Sequence, residues 1–136
     1  PPEAVVLTDF GLARGDGKSF TQTGTFFGTF YYASPEQLLS AKDVDHRTDL
    51  YSAGVLLFRL IAGRFPFQPP MSALPSDHRA VRLQRLFDLE DLRPDAPQLL
   101  GDICRNCLQS DPANRYPDAR ELAHDLEIAI EQTRPV

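Results

Sequence analysis

Leu7-Thr8-Asp9-Phe10-Gly11-Leu12-Ala13-Arg14 is followed, after a polar loop, by Gly28-Thr29-Phe30-Tyr31-Tyr32-Ala33-Ser34-Pro35-Glu36. In the first stretch, a glycine directly after Asp9-Phe10 gives a turn its backbone freedom. In the second, Ser34 is a suitable helix N-cap, followed by a proline and an acidic residue that suit the first turn. This predicts a short helix from Ser34 to Leu39. Either pattern alone occurs by chance in many proteins. The two patterns together, in this order and at this separation, are a much more specific signal.

The composition indicates an ordinary globular domain. The chain has 136 residues, 42% hydrophobic and 24% charged, which is enough for one compact core, so we expect one domain or part of one. A formal net charge of -5 provides no basic field for phosphate backbones, and we expect no nucleic-acid partner. The apolar stretch from about Arg47 to Ala62 is too short to span a membrane and contains Arg59. It predicts a helix buried on nearly all sides that ends at Gly63.

The quoted stretches resemble two motifs of protein kinases. Asp9-Phe10-Gly11 is similar to the metal-binding turn, and Gly28 to Glu36 is similar to the end of the activation segment. Two later stretches fit the same family in the same order: Asp49-Leu50-Tyr51-Ser52-Ala53-Gly54-Val55 resembles its central helix, and Asp111-Pro112-Ala113-Asn114-Arg115 resembles the segment before its last helix. The chain is thus identified as a member of the protein kinases.

The resemblance covers the C-terminal lobe of a kinase domain. It implies a mainly α fold with a short β turn at the N-terminus, an Asp-Phe-Gly turn and activation segment over residues 9–36, and a helical subdomain over residues 37–136. The glycine-rich loop, the ATP-anchoring lysine and the His-Arg-Asp catalytic loop of a kinase precede the Asp-Phe-Gly turn, and only eight residues precede Asp9 here. We therefore expect a fragment that does not catalyse on its own.

The class of kinase follows from the same motifs. Gly28-Thr29 and the residues up to Glu36 look like the serine/threonine-specific class. The particular residues in these motifs look most like those of the bacterial branch. The implied reaction transfers the γ-phosphoryl group of ATP to Ser or Thr hydroxyls of protein substrates. Phe30 and Ser34 depart from the residues common at their positions, which leaves the peptide preference open.

The resemblance assigns the site residues one by one. Asp9 and Thr29 are the catalytic candidates: Asp9 would hold Mg²⁺ on the phosphates of ATP, and Thr29 would help to position the catalytic loop. Asp9, Phe10 and Gly11 together would form the ATP and Mg²⁺ binding turn. A plain Asp-x-Gly turn without function is the alternative for these three residues.

Three further residues have implied structural roles. Glu36 would form a buried ion pair with Arg115, and Asp49 would accept hydrogen bonds from the catalytic-loop backbone. The alternatives are a surface position for Arg115 and simple helix-dipole stabilisation for Asp49. Asp45-His46-Arg47-Thr48-Asp49 also resembles a catalytic His-Arg-Asp, but it follows the Asp-Phe-Gly turn instead of preceding it. We therefore expect His46 and Arg47 to be surface or capping residues.

The loop over residues 15–28 is rich in glycine and hydroxyl groups, and a loop of this length usually has a function. Thr21 and Thr23, in its middle, are the preferred phosphorylation sites, with another copy of the protein as the kinase acting in trans. A phosphate there could order the loop by pairing with arginines. The alternative is that these threonines are only polar loop residues.

The rest of the chain is predicted to be helical. We expect helices from Asp77 to Phe87, from about Pro97 to Leu108, and from about Asp118 to the C-terminus. The first of these carries an arginine stripe that is expected to be solvated: Arg79, Arg82 and Arg85. Docking of a substrate or partner protein on this stripe is the alternative. Cys104 and Cys107 lie on one helical face, which favours core packing of reduced thiols over a zinc or redox site.

Two other functions stay open at this point. One is a pseudokinase or protein-interaction scaffold, and the other is a natural inactive or regulatory fragment. Retention of Asp9, Phe10 and Gly11 favours an enzyme. A cytoplasmic kinase domain is expected, with membrane anchoring elsewhere in the protein left open. The upstream sequence distinguishes these hypotheses, because His-Arg-Asp with an asparagine five residues on, and a strand lysine, would support catalysis.

Overall fold

The computed structural model describes residues 30–40, 42 and 44–134. Within these residues the chain forms six α-helices and one 3-10 helix and no β-strand. They are α1 (Pro35–Leu39), α2 (Arg47–Ala62), α3 (Pro75–Arg82), α4 (Leu89–Leu92), α5 (Gln98–Cys107), the 3-10 helix Pro112–Asn114, and α6 (Ala119–Thr133). This confirms the mainly α fold. The β turn predicted at the N-terminus lies outside the described residues.

Helix α1 begins where the sequence predicts. The Ser34 hydroxyl accepts a hydrogen bond from the backbone N–H of Gln37 at 3.2 Å, and the Gln37 side chain accepts one from the backbone N–H of Ser34 at 2.8 Å. This reciprocal capping box satisfies two backbone donors that the first turn would leave unpaired. Pro35 occupies the first helical position, where a missing N–H costs nothing.

Helix α2 has the predicted bounds and ends at Gly63, whose φ of 78° lies in the left-handed region that glycine adopts easily. The expectation that it is buried on nearly all sides is wrong for the described residues. One face is buried, but Leu60 is 73% exposed and Leu56 is also exposed. Helices α4 and α5 pack against the face of α2 that carries Tyr51, Val55 and Phe58, and Leu60 lies outside that cluster.

Two hydrophobic clusters share α2. The first packs the middle of α2 against α4 and α5 and consists of Tyr51, Val55, Phe58, Phe67, Leu89, Cys104 and Leu108. The second joins α2, α5 and α6 and consists of Leu50, Ile103, Cys107, Tyr116, Leu122 and Ala129. Gly54 lies at the closest approach of α2 and α5, because a Cβ there would be 2.5 Å from the Cβ of Cys107. The central position of α2 follows from burial against both clusters.

Helix α5 matches its predicted bounds within about one residue, and α6 begins one residue after the predicted Asp118. The Asp118 side chain caps α6 by accepting from the N–H of Glu121 at 3.0 Å. Helix α4, four residues long, was not predicted, since a segment this short carries no periodicity. No helix in the described part of the chain is long and apolar enough to cross a membrane.

Helix α3 departs most from the sequence-based prediction. It ends at Arg82 instead of Phe87, and its buried residues are His78 and Arg82. The predicted solvated stripe is therefore wrong at Arg82, which is 1% exposed. The physical reason is that backbone carbonyls before α1 provide buried acceptors for its guanidinium.

Candidate functional site

The sequence-predicted site residues fall into two groups. Asp9, Phe10, Gly11, Thr21, Thr23 and Thr29 lie outside the described residues, and their roles stay predictions. Glu36, Asp49 and Arg115 are described, and the structure brings two of them together. Glu36 belongs to α1, whereas Arg115 follows the 3-10 helix.

Arg115 and Glu36 form a bidentate ion pair between two parts of the chain that are 79 positions apart. Nη1 of Arg115 lies 2.5 Å from Oε2 of Glu36, and Nη2 lies 2.8 Å from Oε1. The arginine side chain is fully buried, and the glutamate side chain is 18% exposed. Such a parallel two-bond arrangement fixes geometry as well as charge.

The other N–H groups of Arg115 also have acceptors. Nε donates to the carbonyl of Gln109 at 2.8 Å, Nη1 to that of Arg47 at 3.1 Å, and Nη2 to that of Ser110 at 3.3 Å. Together with the two bonds to Glu36, all five guanidinium donors are used. The guanidinium carbon also lies 4.9 Å from the centre of the Tyr51 ring. Arg115 therefore ties α1, the start of α2 and the segment directly after α5 together.

Two hydroxyl groups extend this ion pair. The Thr48 hydroxyl donates to Oε2 of Glu36 at 2.6 Å, and its oxygen lies 2.9 Å from that of Ser34. Since Thr48 has one hydroxyl proton, Ser34 is the donor in the second bond. Burial raises the pKa of Glu36, but the hydrogen bonds from Arg115 and Thr48 outweigh it, and the net pKa is lowered. Glu36 is therefore held as a carboxylate.

Thr48 was not singled out from the sequence. Its only signal is a polar residue in the first turn of a largely apolar helix, a position that many capping residues share. The network of Ser34, Thr48, Glu36 and Arg115 depends on contacts between residues distant in sequence. It fixes the position of the backbone at the start of α1 and α2.

The turn before α1 is held from a second direction. Arg82, the last residue of α3, donates through Nε to the carbonyl of Ala33 at 2.7 Å and through Nη2 to the carbonyl of Phe30. Its Nη1 donates to the carbonyl of His78 at 2.8 Å, one turn back in α3. Burial lowers the pKa of Arg82 to about 10, so it remains a cation at neutral pH.

Helix α2 provides a third contact to the same turn. The Ser52 hydroxyl donates to the carbonyl of Tyr32 at 2.7 Å. Arg59 donates to the hydroxyl of Tyr32 at 2.6 Å. The segment from Phe30 to Glu36 is thus anchored to α2, α3 and the segment before α6.

Asp49 is exposed on the first turn of α2, and its carboxylate makes no hydrogen bond to any described residue. Its implied role toward a catalytic loop stays a prediction. His46 is exposed at the start of α2, and its Nε2 donates to the carbonyl of Pro117 at 2.5 Å. Arg47 pairs with Asp45 at 2.8 Å. His46 is therefore exposed and Arg47 partly exposed at the start of α2, in agreement with the expected position at a helix start.

Cys104 and Cys107 are free and buried in the two hydrophobic clusters. Burial raises the pKa of each thiol to about 12, which disfavours the thiolate that metal binding and redox chemistry require. Among residues 30–40, 42 and 44–134, no three His, Cys, Asp or Glu side chains are grouped to hold a metal ion. The core-packing interpretation of the two cysteines is confirmed.

The sequence also matches known proteins. The model of the protein kinase domain matches residues 2–126. The chain is 33% identical over 132 residues to the probable serine/threonine-protein kinase PknB of Lactococcus lactis, which covers 96% of this chain and 20% of that protein. It is 34% identical over 129 residues to serine/threonine-protein kinase PknJ of Mycobacterium tuberculosis, covering 94% of this chain and 22% of PknJ.

A third relative is serine/threonine-protein kinase pkn2 of Myxococcus xanthus, 37% identical over 142 residues, covering 93% of this chain and 16% of pkn2. The chain thus spans about a fifth of the length of these bacterial relatives. The match to the kinase domain covers most of the chain and includes all four motifs. The chain therefore belongs to the protein kinase family, and its relatives are bacterial serine/threonine-protein kinases.

Proposed function

We propose that this chain is the C-terminal lobe of a serine/threonine protein kinase that transfers the γ-phosphoryl group of ATP to protein Ser and Thr hydroxyls. Residues 9–36 would be the Asp-Phe-Gly turn and activation segment, and residues 37–136 the helical subdomain. The proposal concerns the intact protein, because the catalytic loop and the ATP-binding lysine of a kinase precede Asp9. The bacterial serine/threonine kinases among the relatives support it.

The observation that carries the proposal is the ion pair of Glu36 and Arg115. A kinase must hold the end of its activation segment rigidly, because this segment presents the acceptor hydroxyl near the phosphates. Here Glu36 is fixed by both ends of the Arg115 guanidinium and by Thr48. Because every donor of the buried Arg115 is paired, the backbone around Glu36 is held in one position. A segment that presents a substrate peptide requires such a fixed backbone.

Asp9 is proposed to hold Mg²⁺. Its carboxylate is the hard oxygen donor that Mg²⁺ prefers. When bound, the cation neutralises charge on the phosphates during transfer. Phe10 would pack to set the direction of the carboxylate, and Gly11 would give the turn its freedom.

The proposed reaction breaks the bond between the γ-phosphorus and the bridging oxygen of ATP and forms one between that phosphorus and the acceptor hydroxyl oxygen. The hydroxyl proton would pass to a base in the catalytic loop. Thr29 would position this loop, since it directly precedes the anchored segment that begins at Phe30. Asp49, exposed on α2, would accept hydrogen bonds from the loop backbone.

Incubation of the full-length protein with γ-labelled ATP and acceptor proteins tests the proposal. Casein and myelin basic protein are suitable acceptors, since they offer many serines and threonines. Acid hydrolysis should release labelled phosphoserine and phosphothreonine. Label in phosphotyrosine alone would contradict the serine/threonine assignment. Absence of any label would favour a pseudokinase or scaffold instead.

A further inference from the structure

We infer that Arg82 is a positioning residue for this kinase: from inside the lobe it fixes the backbone of Phe30–Ala33 and thereby the placement of Thr29 and of the substrate peptide. The inference rests on the proposed function. It adds a second, separate anchor of the activation segment beside the Glu36–Arg115 pair.

The first support is the pair of acceptors that the N–H groups of Arg82 bind. Nε and Nη2 bind the carbonyls of Ala33 and Phe30, which lie 49 and 52 positions earlier in the chain. The side chain therefore bridges both ends of one turn directly before α1. A planar guanidinium presents its N–H groups in a fixed fork, so the two carbonyls are held at a defined separation.

The second support is the charge. Arg115 is neutralised by Glu36, but no carboxylate of the described residues forms an ion pair with Arg82. A buried cation without an acid is unfavourable for folding, and an apolar side chain would fill the same volume more favourably. The interactions that offset this cost are the three carbonyl bonds and the face of the Phe67 ring, 4.2 Å away. Arg82 is therefore held by backbone carbonyls and an aromatic ring in place of a carboxylate, so its position depends directly on the backbone of Phe30–Ala33.

The third support is the packing around Arg82. His78 lies one turn before Arg82 and is also fully buried. Its Nε2 donates to the carbonyl of Ser72 at 2.7 Å, and its ring lies 5.2 Å from that of Phe30 and 5.8 Å from that of Tyr31. The buried face of α3 therefore contacts both the backbone and the side chains of the turn. A shift of this turn would move Thr29, which is joined to Phe30 by one peptide bond.

The test compares Arg82→Lys with Arg85→Lys in the full-length protein. Lysine keeps the charge at position 82 but cannot reproduce the fork to the two carbonyls. Arg85 is the matched control, because its side chain is 88% exposed and its salt bridge to Asp88 lies on the surface. Two readouts are measured for each variant: steady-state kinetics with casein or myelin basic protein as acceptor, and hydrogen exchange of the backbone amides of residues 30–34.

We expect Arg82→Lys to lower kcat/KM for the acceptor protein by about tenfold or more, since small misplacements of reacting groups are costly. The KM for ATP should stay within about twofold, because nucleotide binding does not use this turn. Exchange at residues 30–34 should become faster in Arg82→Lys and stay unchanged in Arg85→Lys. Equal losses of kcat/KM for the acceptor protein and for ATP would overturn the inference and leave Arg82 a structural residue. Unchanged hydrogen exchange at residues 30–34 would do the same.

A milder pair of variants applies if Arg82→Lys does not fold. Phe67→Leu removes the ring face under the Arg82 guanidinium, and Phe87→Leu removes the exposed ring that lies 4.5 Å from the Arg64 guanidinium. Only Phe67→Leu should lower kcat/KM for the acceptor protein while leaving the KM for ATP nearly unchanged. Only this variant should also show faster exchange at residues 30–34. Absence of phosphoryl transfer by the unmodified protein would refute the proposed function, whereas the exchange measurement still decides whether Arg82 holds the turn.

Discussion

Arg115 donates hydrogen bonds from both terminal nitrogens of its guanidinium to the two carboxylate oxygens of Glu36, although the residues are 79 positions apart in sequence. The remaining donors of Arg115 bind three backbone carbonyls. This one contact joins the short helix α1 to the segment before the last helix. Its removal therefore affects several elements at once.

Arg115→Ala should lower the free energy of unfolding by about 3–5 kcal/mol, because it leaves the largely buried Glu36 carboxylate without its partner. Urea denaturation of the full-length protein, monitored with a probe that reports on this lobe, measures the change. Arg85→Ala is the control, since its exposed ion pair with Asp88 should contribute less than about 1 kcal/mol. Similar losses for the two variants would contradict the importance of the buried pair.

The ion pair should also respond to pH. The pKa of Glu36 is lowered in the folded state from its ordinary value of 4.5, so the unfolded chain binds a proton first as the pH falls. The stabilisation is complete above that value and is lost as the pH falls through the folded-state pKa. The stability difference between the unmodified protein and Glu36→Gln should therefore shrink as the pH falls below the ordinary glutamate value of 4.5. A difference that is constant over this range would show that Glu36 is not held as a carboxylate.

Gly54→Ala should destabilise the lobe by about 1–3 kcal/mol through overpacking, because the new Cβ would lie 2.5 Å from the Cβ of Cys107. Thermal unfolding measures the effect. Adding Cys107→Ala should not restore stability, since alanine keeps the clashing Cβ. Recovery in that double variant would indicate that the sulfur, and not the backbone approach, limits the space.

Cys104 and Cys107 should not react with iodoacetamide in the native protein, because burial raises the pKa of both thiols to about 12 and excludes the reagent. Both should be alkylated in urea. Mass spectrometry of the peptide that contains them distinguishes these states. Rapid modification under native conditions would reopen the redox interpretation of this cysteine pair.

Thr21 and Thr23 are proposed to be phosphorylated in trans by another copy of the protein. Mass spectrometry after incubation with ATP should find phosphate on one or both, and activity should fall when both are replaced by alanine. A phosphothreonine there could order the loop by pairing with arginines. Full activity of the double alanine variant would reduce the loop to a connector.

Local signals in the sequence predicted most of the helical fold. The cap at Ser34, the glycine at position 63 and the capping residue Asp118 fixed the ends of α1, α2 and α6 because each acts within one turn of its helix. The ion pair of Glu36 and Arg115 could be anticipated only from the family resemblance. Composition and periodicity carry no information about partners so far apart.

Arg82 shows where sequence reasoning fails. An arginine stripe on a short helix normally faces water, and nothing near Arg82 in sequence signals a buried position. Its acceptors are backbone carbonyls at Phe30 and Ala33, which no side-chain pattern reveals. The exposure of Leu60 was missed for a related reason, since periodicity cannot tell which side of an apolar helix will be covered.

Phosphoryl transfer by an Asp9 variant tests the central claim most directly. Asp9→Ala in the full-length protein should abolish nearly all transfer of label from γ-labelled ATP to Ser and Thr, because the carboxylate proposed to hold Mg²⁺ is removed. Asp95→Ala is the matched control, since this aspartate is 68% exposed and pairs only with its neighbour Arg93 on the surface. The kinase assignment predicts full activity for Asp95→Ala and almost none for Asp9→Ala. Transfer by Asp9→Ala at the rate of the unmodified protein would contradict it.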